Sequence, residues 1–254
     1  MSEFKDYADK YSGIRFRREN GVLEMTLHTR GSPARWGSSP DCLHGELGPA
    51  FRDIARDAEN RVVVLTGTGD SFIADMDPAF RFPEASIAEM WPRIADEGLE
   101  LLHNLLAIPV PMIAAVNGPA FIHAELAVLC DVVLAASHAE FADRAHFVSG
   151  SVPGDGVHTI WPMLLGPNRG RYFLLTGERI SAHEAKQLGF VGEVLDPKEL
   201  MPRARELAAG FAQKPMALLR HTRALLVHEL RRRMFDDLAG GLAHEALASL
   251  LPRR

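Results

Sequence analysis

The stretch IPVPMIAAVNGPAFIHAELAVLCDVVLAA, residues 108–136, contains the elements that decide the fold. Residues 111–116 and 132–136 are short apolar runs of the length and composition typical of buried strands. Between them, Asn117-Gly118 indicates a turn, and residues 124–130 have the pattern of a buried helix. The stretch therefore predicts two buried strands joined by a turn and a helix.

The same alternation continues on both sides of this stretch. Apolar alternation, β-branched runs and helical spacing predict further strands at 21–28, 61–67 and 191–195, and helices at 41–58, 86–106 and 181–189. Two capping boxes, Ser86 to Glu89 and Ser181 to Glu184, support the helix starts. From Leu200 onward the pattern is helical, with helices predicted at 200–212, 215–231 and 233–250. We expect a spiral α/β core followed by an all-helical region.

Composition limits the classes of function. Hydrophobic residues make up 47% of the 254 residues and charged residues 24%, which is typical of a globular protein with a substantial core. The net charge of −5 without a long basic run argues against nucleic acid and anionic membranes as partners. Cys42 and Cys130 lack metal-ligand spacing, and the polar N-terminus has no signal-peptide pattern. These features predict a cytoplasmic location.

Several motifs together resemble the crotonase family, the enoyl-CoA hydratase/isomerase superfamily. They are VVVLTGTGDSF (62–72), IPVPMIAAVNGPA (108–120), LAVLCDVVLAA (126–136), VPGDG (152–156) and FLLTGERISAHEAKQLGFVGEVL (173–195). The resemblance covers roughly residues 12–250. It implies a crotonase-type spiral of ββα units over 1–198, and a helical C-terminal region over 199–254 that serves trimerisation or forms a lid. It also implies an enolate-like oxyanion held by two backbone N–H groups, and a homotrimer or a dimer of trimers.

The sequence departs from this family where the oxyanion would be held. A glycine run normally follows Asn117-Gly118 and supplies one N–H, but here the segment is Ala-Phe-Ile-His-Ala (120–124). Side chains at these positions would remove the access that glycine gives to the backbone. The other N–H of the family would fall near Met76. Of the two glutamates of the hydratases, the first aligns with Glu125 and the second with His146, which argues against hydratase chemistry.

A closer similarity is to the β-diketone hydrolases of the 6-oxocamphor type within this family. It rests on Trp36 in an early loop, on IHAE (122–125), on HFVSGSVPGDG (146–156) and on GLAHEAL (241–247). Such enzymes hydrolyse the C–C bond between the carbonyls of a bicyclic β-diketone, in a retro-Claisen reaction that gives a keto acid, without coenzyme A or another cofactor. The resemblance implies functional roles at Trp36, His123, His146, Asp155 and Glu245.

Retro-Claisen cleavage needs a base for water, a donor for the oxyanion and an acid for the enolate carbon. His146 suits the base, because an imidazole pKa of about 6.5 allows proton transfer near neutrality. Asp155 could bind one ring nitrogen and fix the tautomer. The alternatives are a partly buried structural histidine, and an aspartate that belongs to a Gly-Asp-Gly turn or caps the helix beginning near His158.

His123 is the candidate donor to the carbonyl oxygen, and Glu125 is its competitor as the catalytic residue. Helical residues two apart point in directions about 200° different, so both would face one pocket only if the helix begins between them. We favour His123 and interpret Glu125 as a carboxylate at the helix N-terminus.

Trp36 can donate its indole N–H to a substrate carbonyl, or can anchor its loop. Glu245 is either an exposed helical glutamate or, in apolar surroundings that raise its pKa, the acid that protonates the enolate. His244 lies about 100° around the same helix, so we expect only one of the two in the pocket.

The remaining candidates concern the pocket wall and metals. Phe82 and Met76 are predicted to bind the substrate, and Phe80 and Trp91 could form the same apolar wall or belong to the core. The other histidines show no ligand constellation, so no metal is expected.

Two other functions stay open at this point. One is a coenzyme A-thioester-dependent crotonase, which would act as a hydratase, isomerase or thioester hydrolase. The other is a non-catalytic crotonase-like scaffold that binds a partner.

Overall fold

The apolar runs of the sequence form short strands in the computed structural model, which describes residues 2–37, 41–79 and 87–250. The strands within these ranges are β1 (Ile14–Glu19), β2 (Val22–Leu27), β3 (Arg35–Trp36), β4 (Val62–Gly67), β5 (Asp75–Met76), β6 (Met112–Val116), β7 (Val132–Ala136), β8 (Glu140–Phe141), β9 (Ile180–Ser181) and β10 (Glu193–Leu195). Six of them form a sheet in the order β1-β2-β4-β6-β7-β10. Only β1 and β2 are antiparallel in it, and every other neighbouring pair is parallel.

The helices alternate with the strands in the first half and follow one another in the second. They are α1 (Phe4–Tyr7), α2 (Leu43–Arg56), α3 (Ile87–Ala107), α4 (Glu125–Val128), α5 (Val157–Leu165), α6 (Pro167–Thr176), α7 (Ala182–Leu188), α8 (Pro197–Ala212), α9 (Met216–Leu226) and α10 (His228–Ser249). A 3₁₀ turn spans Phe147–Ser149. Within the described residues, no helix is both long and apolar enough to cross a lipid bilayer.

A ββα unit recurs along the chain, although the sequence shows no repeat. Four strands of the sheet are each followed by a short extended segment in a second layer: β3 after β2, β5 after β4, Ala120 after β6 and β8 after β7. These short segments pair with one another through the β3–β5 ladder, the bridges of Ala120 with Ile73 and Phe141, and the β8–β9 ladder. The crotonase-type spiral is therefore confirmed.

Both faces of the sheet are buried, which explains why its strands read as continuous apolar runs. One face packs in the main core, which includes α2, α3 and α4. On the other face, side chains of β4, β6 and β7 pack against α8. The contact surface of α8 is a row of small and apolar residues, Leu200, Ala204, Ala208 and Ala212. The first helix of the predicted C-terminal region thus covers the sheet directly.

Two predictions about helices need correction. The helix predicted from residue 124 to 130 is a short helix, α4, that ends at Val128. The break in the C-terminal helices lies at Val227, five residues before the predicted one, where the backbone leaves the helical conformation with φ of −93° and ψ of 1°. The pattern also gave no prediction for β1 or for α6, whose N-terminus is set by Gly166 and Pro167. Ser86 of the first capping box lies outside the described residues.

Candidate active site

The predicted site residues follow the carboxyl ends of four neighbouring strands. Trp36 comes after β2, Met76 after β4, His123 after β6 and His146 after β7. Because parallel strands end at one edge of the sheet, these loops converge there, where open α/β sheets bind their ligands. They line one pocket of about 320 Å³ together with residues from α2, α3 and α10: Trp36, His44, Met76, Met90, Trp91, Ile94, His123, Arg144, Ala145, His146, Ser149, Ser151, Asp155, Leu242, Glu245 and Ser249.

His146 is buried between two carboxylates. Its Nδ1 lies 2.7 Å from Oδ1 of Asp143, and its Nε2 lies 3.1 Å from Oδ2 of Asp155. The predicted contact with Asp155 is therefore present, but the sequence analysis missed Asp143, which occupies the other ring nitrogen. Burial alone would lower the pKa of His146, but the charge of Asp155 and the hydrogen bond with Asp143 hold this pKa well above its usual 6.5.

Asp155 joins the two histidines. Oδ2 of its carboxylate lies 3.1 Å from Nε2 of His146 and also 3.1 Å from Nδ1 of His123. Its Oδ1 is buried and has no hydrogen-bond partner among the described residues. Burial opposes ionisation, but the charges of His146 and His123 bring the pKa of Asp155 below its usual value. Asp155 does not cap α5, whose N-cap is Gly156.

His123 has a left-handed backbone, with φ of 51°. This conformation favours glycine, and histidine tolerates it better than bulky or β-branched residues do. The backbone geometry of a glycine turn is thus retained, although the residue carries an imidazole. The N–H groups of Phe121 and Ile122 donate to the carbonyl of Ile73 at 2.9 and 3.1 Å, so neither is available to a substrate.

Glu125 contacts His123 on the side away from the pocket. The helix α4 begins at Glu125, so the two side chains converge, and Nδ1 of His123 lies 2.6 Å from Oε1 of Glu125. Glu125 is buried and does not line the pocket, whereas His123 does. Burial raises the pKa of Glu125. Burial by itself would lower the pKa of His123, but the charges of Glu125 and Asp155 raise this pKa above its usual value.

Trp36 stacks on His123. Their ring centroids are 3.8 Å apart with a tilt of 31° between the planes. An indole face next to an imidazole favours the imidazolium form through its negative quadrupole. With Nδ1 of His123 held by two carboxylates, Nε2 is the nitrogen left for a ligand.

Glu245 reaches the pocket because α10 packs tightly on the loop that carries Asp155. A Cβ at Gly154 would lie 2.2 Å from the carbonyl oxygen of Gly241, so the two glycines let the backbones touch. Glu245, one turn further along α10, accepts a hydrogen bond from Ser151 at 2.9 Å. Burial first, and then the charge of Asp155, raise the pKa of Glu245 to about 7. His244 is exposed on the outside of the helix, as expected.

A second histidine–carboxylate pair was not predicted from the sequence. Nδ1 of His44 lies 2.9 Å from Oε2 of Glu97, and the His44 ring meets the edge of Trp36 with centroids 5.7 Å apart. Helical spacing had assigned α2 and α3 to the core, and both helices do pack there. Only the tertiary contact of α2 with α3 brings Glu97 to His44, which lines the pocket.

The opposite wall of the pocket is apolar. It is formed by Met90, Trp91 and Ile94 of α3 and by Leu242 of α10. The structure therefore places Trp91 in the apolar wall, one of the two positions considered for it. Met76 lines the pocket with an exposed side chain, and pairs with Trp36 in the β3–β5 ladder. Phe80 and Phe82 lie outside the described residues.

The cluster of His123, His146 and Asp155 has ligand-type atoms within 4.8 Å of one another. However, the nitrogens that face Asp155 are partnered: His146 is clamped by two carboxylates, and Nδ1 of His123 also contacts Glu125. This arrangement is that of a proton-sharing network, and we assign no metal to it.

Comparison with known proteins agrees with this fold. The family model for enoyl-CoA hydratase/isomerase matches residues 17–242. A carnitinyl-CoA dehydratase of Salmonella arizonae is 34% identical over 227 residues, which cover 85% of this chain and 83% of that protein. An enoyl-CoA hydratase/isomerase structure from Mycobacterium paratuberculosis is 28% identical, with a TM-score of 0.85 and 96% of both chains covered.

A further solved structure is similar throughout. It is a β-diketone hydrolase from the cyanobacterium Anabaena sp. PCC 7120 bound to (S)-3-oxocyclohexyl acetic acid. Its identity to this chain is 42%, the TM-score is 0.91, and the match covers 96% of this chain and 97% of that one. The chain belongs to the enoyl-CoA hydratase/isomerase family, and its fold is the crotonase fold.

Proposed function

We propose that this protein is a cofactor-independent β-diketone hydrolase, which cleaves the C–C bond between the two carbonyls of a cyclic or bicyclic substrate. The observation that carries the proposal is the convergence of two imidazoles on one oxygen of Asp155, in a pocket that also holds Glu245. The 42% identity to a β-diketone hydrolase supports it, and the apolar wall suits a compact carbocyclic substrate.

Water addition is assigned to the His146–Asp155 pair. His146 begins as an imidazolium because its pKa is raised, so the pair shares the proton on Nε2. Asp155, with Oδ1 unpartnered among the described residues, receives the proton of the water as its oxygen attacks the carbonyl carbon. The imidazolium stabilises the carboxylate of Asp155 before the transfer, and the positive charge that the pair gains is matched by the oxyanion that forms on the substrate. The sequence predicts His146 as the base and Asp155 as its orienter, whereas here Asp155 takes the proton and His146 supports it.

The oxyanion is assigned to His123 and Trp36. His123 has a raised pKa, so its imidazolium is a strong donor to the developing negative charge. When the tetrahedral intermediate collapses, the bond to the carbon between the carbonyls breaks, and its electron pair forms an enolate. The product carries a new carboxyl group at one end and a ketone at the other.

Glu245 is assigned to the last step. With a pKa of about 7 it keeps a substantial protonated fraction at neutral pH, and it can pass that proton to the enolate carbon. The acid is then restored by the proton that the His146–Asp155 pair took from water. Atoms balance as substrate plus water giving a keto acid.

A direct assay tests this function. The purified protein is incubated with a bicyclic β-diketone, with a monocyclic β-diketone and with crotonyl-CoA, and the products are identified by mass spectrometry and chiral chromatography. We expect keto acid from the bicyclic diketone, with one heavy oxygen in the carboxylate from labelled water and one deuteron on the α-carbon from heavy water. Turnover of crotonyl-CoA without diketone cleavage would overturn the proposal.

A second candidate is a coenzyme A-dependent crotonase. Its support is the family model and curated relatives at about one-third identity, including the carnitinyl-CoA dehydratase. The site favours it less, because His146 stands where the resemblance places a second glutamate and because the N–H groups of Phe121 and Ile122 are bonded to Ile73. The crotonyl-CoA arm of the assay decides between the two.

A further inference from the structure

The two carboxylates on His146 occupy different positions relative to the pocket. Asp155 lines the pocket, so its contact with Nε2 is on the substrate side. Asp143 does not line the pocket, and its contact with Nδ1, at 2.7 Å, is the shorter of the two. Only 3% of the Asp143 side chain is exposed, so this hydrogen bond forms away from water, where it is strongest.

The backbone around Asp143 is fixed by the second strand layer. The N–H of Ala142 donates to the carbonyl of Ala120 at 3.1 Å, and the N–H of Arg144 donates to the carbonyl of Phe121 at 2.9 Å. Asp143 is thus held between two ladder hydrogen bonds to the segment that leads into His123. The same ladder sets the positions of both histidines relative to each other.

The backbone of His146 is held through its carbonyl oxygen. The N–H groups of Ser149 and Ser151 both donate to it, at 2.8 and 3.1 Å. These bonds fix the backbone but leave the imidazole free to rotate about its side-chain bonds. The contact that fixes the ring on its buried side is therefore the one from Asp143.

The second oxygen of Asp143 gives independent support. Oδ2 is buried and has no hydrogen-bond partner among the described residues. A buried carboxylate with an unsatisfied oxygen typically costs stability, because the hydrogen bond that it makes with water in the unfolded chain is not replaced. Folding alone does not explain a group that is buried at this cost and makes one side-chain hydrogen bond, to a residue of the pocket.

We propose that Asp143 is the positioning residue of the active site: it holds the proton on Nδ1 of His146 and turns Nε2 toward Asp155. The inference rests on the proposed function. It reassigns the orienting role that the sequence analysis gave to Asp155. Asp155 is thereby left to serve His123 and the substrate with its two oxygens.

The groups that face His146 come from several elements. They are Asp143 on its own segment, Asp155 on the loop before α5, His123 before α4, and Glu245 on α10, which acts through its charge. Removing Asp143 deletes one of the two anions in direct contact with the ring. We expect the ring to lose its fixed orientation, and the pKa of His146 to fall, because Nδ1 would then have no acceptor among these groups.

Two substitutions separate orientation from charge. Asp143→Ala removes both, and we expect kcat to fall by about 100-fold or more, with KM nearly unchanged because Asp143 does not line the pocket. Asp143→Asn keeps a side-chain oxygen that can accept from Nδ1 but loses the charge, and we expect a fall of about 10-fold. The control is Glu140→Gln, which removes one charge from the same segment without contacting His146, and should leave kcat unchanged.

The decisive readout is nitrogen-15 NMR of labelled histidines, together with the pH profile of kcat and the melting temperature of each variant. We expect both ring nitrogens of His146 to be protonated at neutral pH in the wild type, and the Nδ1 proton to stay hydrogen-bonded in Asp143→Asn. In Asp143→Ala we expect the pKa of His146 to fall and the Nδ1 signal to lose the shift of a hydrogen-bonded proton. A melting temperature that falls while the nitrogen-15 signals of His146 and the pH profile stay as in the wild type would reduce Asp143 to a structural residue and overturn the inference. Because the NMR result needs no substrate, it stands even if the diketone is not cleaved.

Discussion

His123 has the backbone conformation of a glycine turn but carries an imidazole side chain. Its φ of 51° is the geometry that a glycine would adopt, and its carbonyl still accepts the N–H of Leu126 at the start of α4. The imidazole is then directed to Glu125, Asp155 and the face of Trp36. A turn suited to a backbone donor has become a support for a side-chain donor.

Glu245 provides a pH prediction at the same scale. Its pKa of about 7 is raised from the ordinary 4.5, so the acid form is present below pH 7 and is lost as the pH rises through 7. If this form protonates the enolate, kcat should fall on the alkaline side with an apparent pKa near 7. Glu245→Gln should lower kcat by about 100-fold and abolish that limb, measured as kcat from pH 5 to 9 at saturating diketone.

The matched control for Glu245 is Glu229→Gln. Glu229 lies on the same helix but is exposed and paired with Arg232 and Arg233. The pH profile of kcat in Glu229→Gln should match that of the wild type. An alkaline limb that persists in Glu245→Gln would assign the limb to another group.

At the scale of elements, the packing of α10 decides whether the site is complete. Gly241 touches the loop of Gly154 and the ring of His158, and one turn later Glu245 reaches the pocket. The same helix packs on α3 through Leu242, which approaches Gly98. The sequence marks this contact only by Pro-Gly-Asp-Gly in one place and by Gly240-Gly241 nearly ninety residues later.

Substituting these two glycines tests the contact. A Cβ at Gly241 would lie 2.1 Å from the carbonyl oxygen of Gly154, so Gly241→Ala must displace α10. We expect a loss of about 1–3 kcal/mol in the free energy of unfolding and a fall in kcat as Glu245 shifts. Gly240→Ala meets nothing within 4 Å and should raise stability by up to about 1 kcal/mol, because alanine favours helix.

For Gly241→Ala and Gly240→Ala, the free energy of unfolding is measured in urea, provided that its dependence on urea concentration is the same in both variants. The kcat on the diketone is measured beside it. Equal stability and equal kcat in the two variants would show that the close approach does not position Glu245.

At the scale of the whole molecule, the last two helices leave large apolar side chains in water. Leu225 is 78% exposed, Leu226 70% and Phe235 72%. Apolar exposure of this size at adjoining positions is typical of an interface between proteins. We propose that other copies of the chain cover it, as the resemblance to trimeric crotonases implies.

The assembly is measured by light scattering coupled to size-exclusion chromatography. We expect the wild type to run as a trimer or a dimer of trimers, and the double variant Leu225→Glu/Leu226→Glu to dissociate, because burying two carboxylates at an interface is costly. Leu175→Glu, at an exposed leucine of α6, is the control and should keep the wild-type mass. A monomeric wild type would refute the proposal.

The sequence by itself determined five of the six strands of the main sheet, most of the described helices and six of the residues that meet at the pocket. Local periodicity fixes which segments are buried, and the loops after β2, β4, β6 and β7 must meet because parallel strands share one edge. Six of the residues predicted for the site line the pocket: Trp36, Met76, His123, His146, Asp155 and Glu245. Phe82 stays a prediction.

Only the tertiary structure decided which partner each group has. Asp143 contacts His146 at close sequence spacing, but nothing in FADRAHF distinguishes this aspartate from an exposed one. The pair of His44 and Glu97 needs α2 against α3, and Glu245 needs the backbone of α10 against Gly154. Burial and nearby charges set the pKa values of Asp155 and Glu245, and both arise from contacts between segments far apart in the chain.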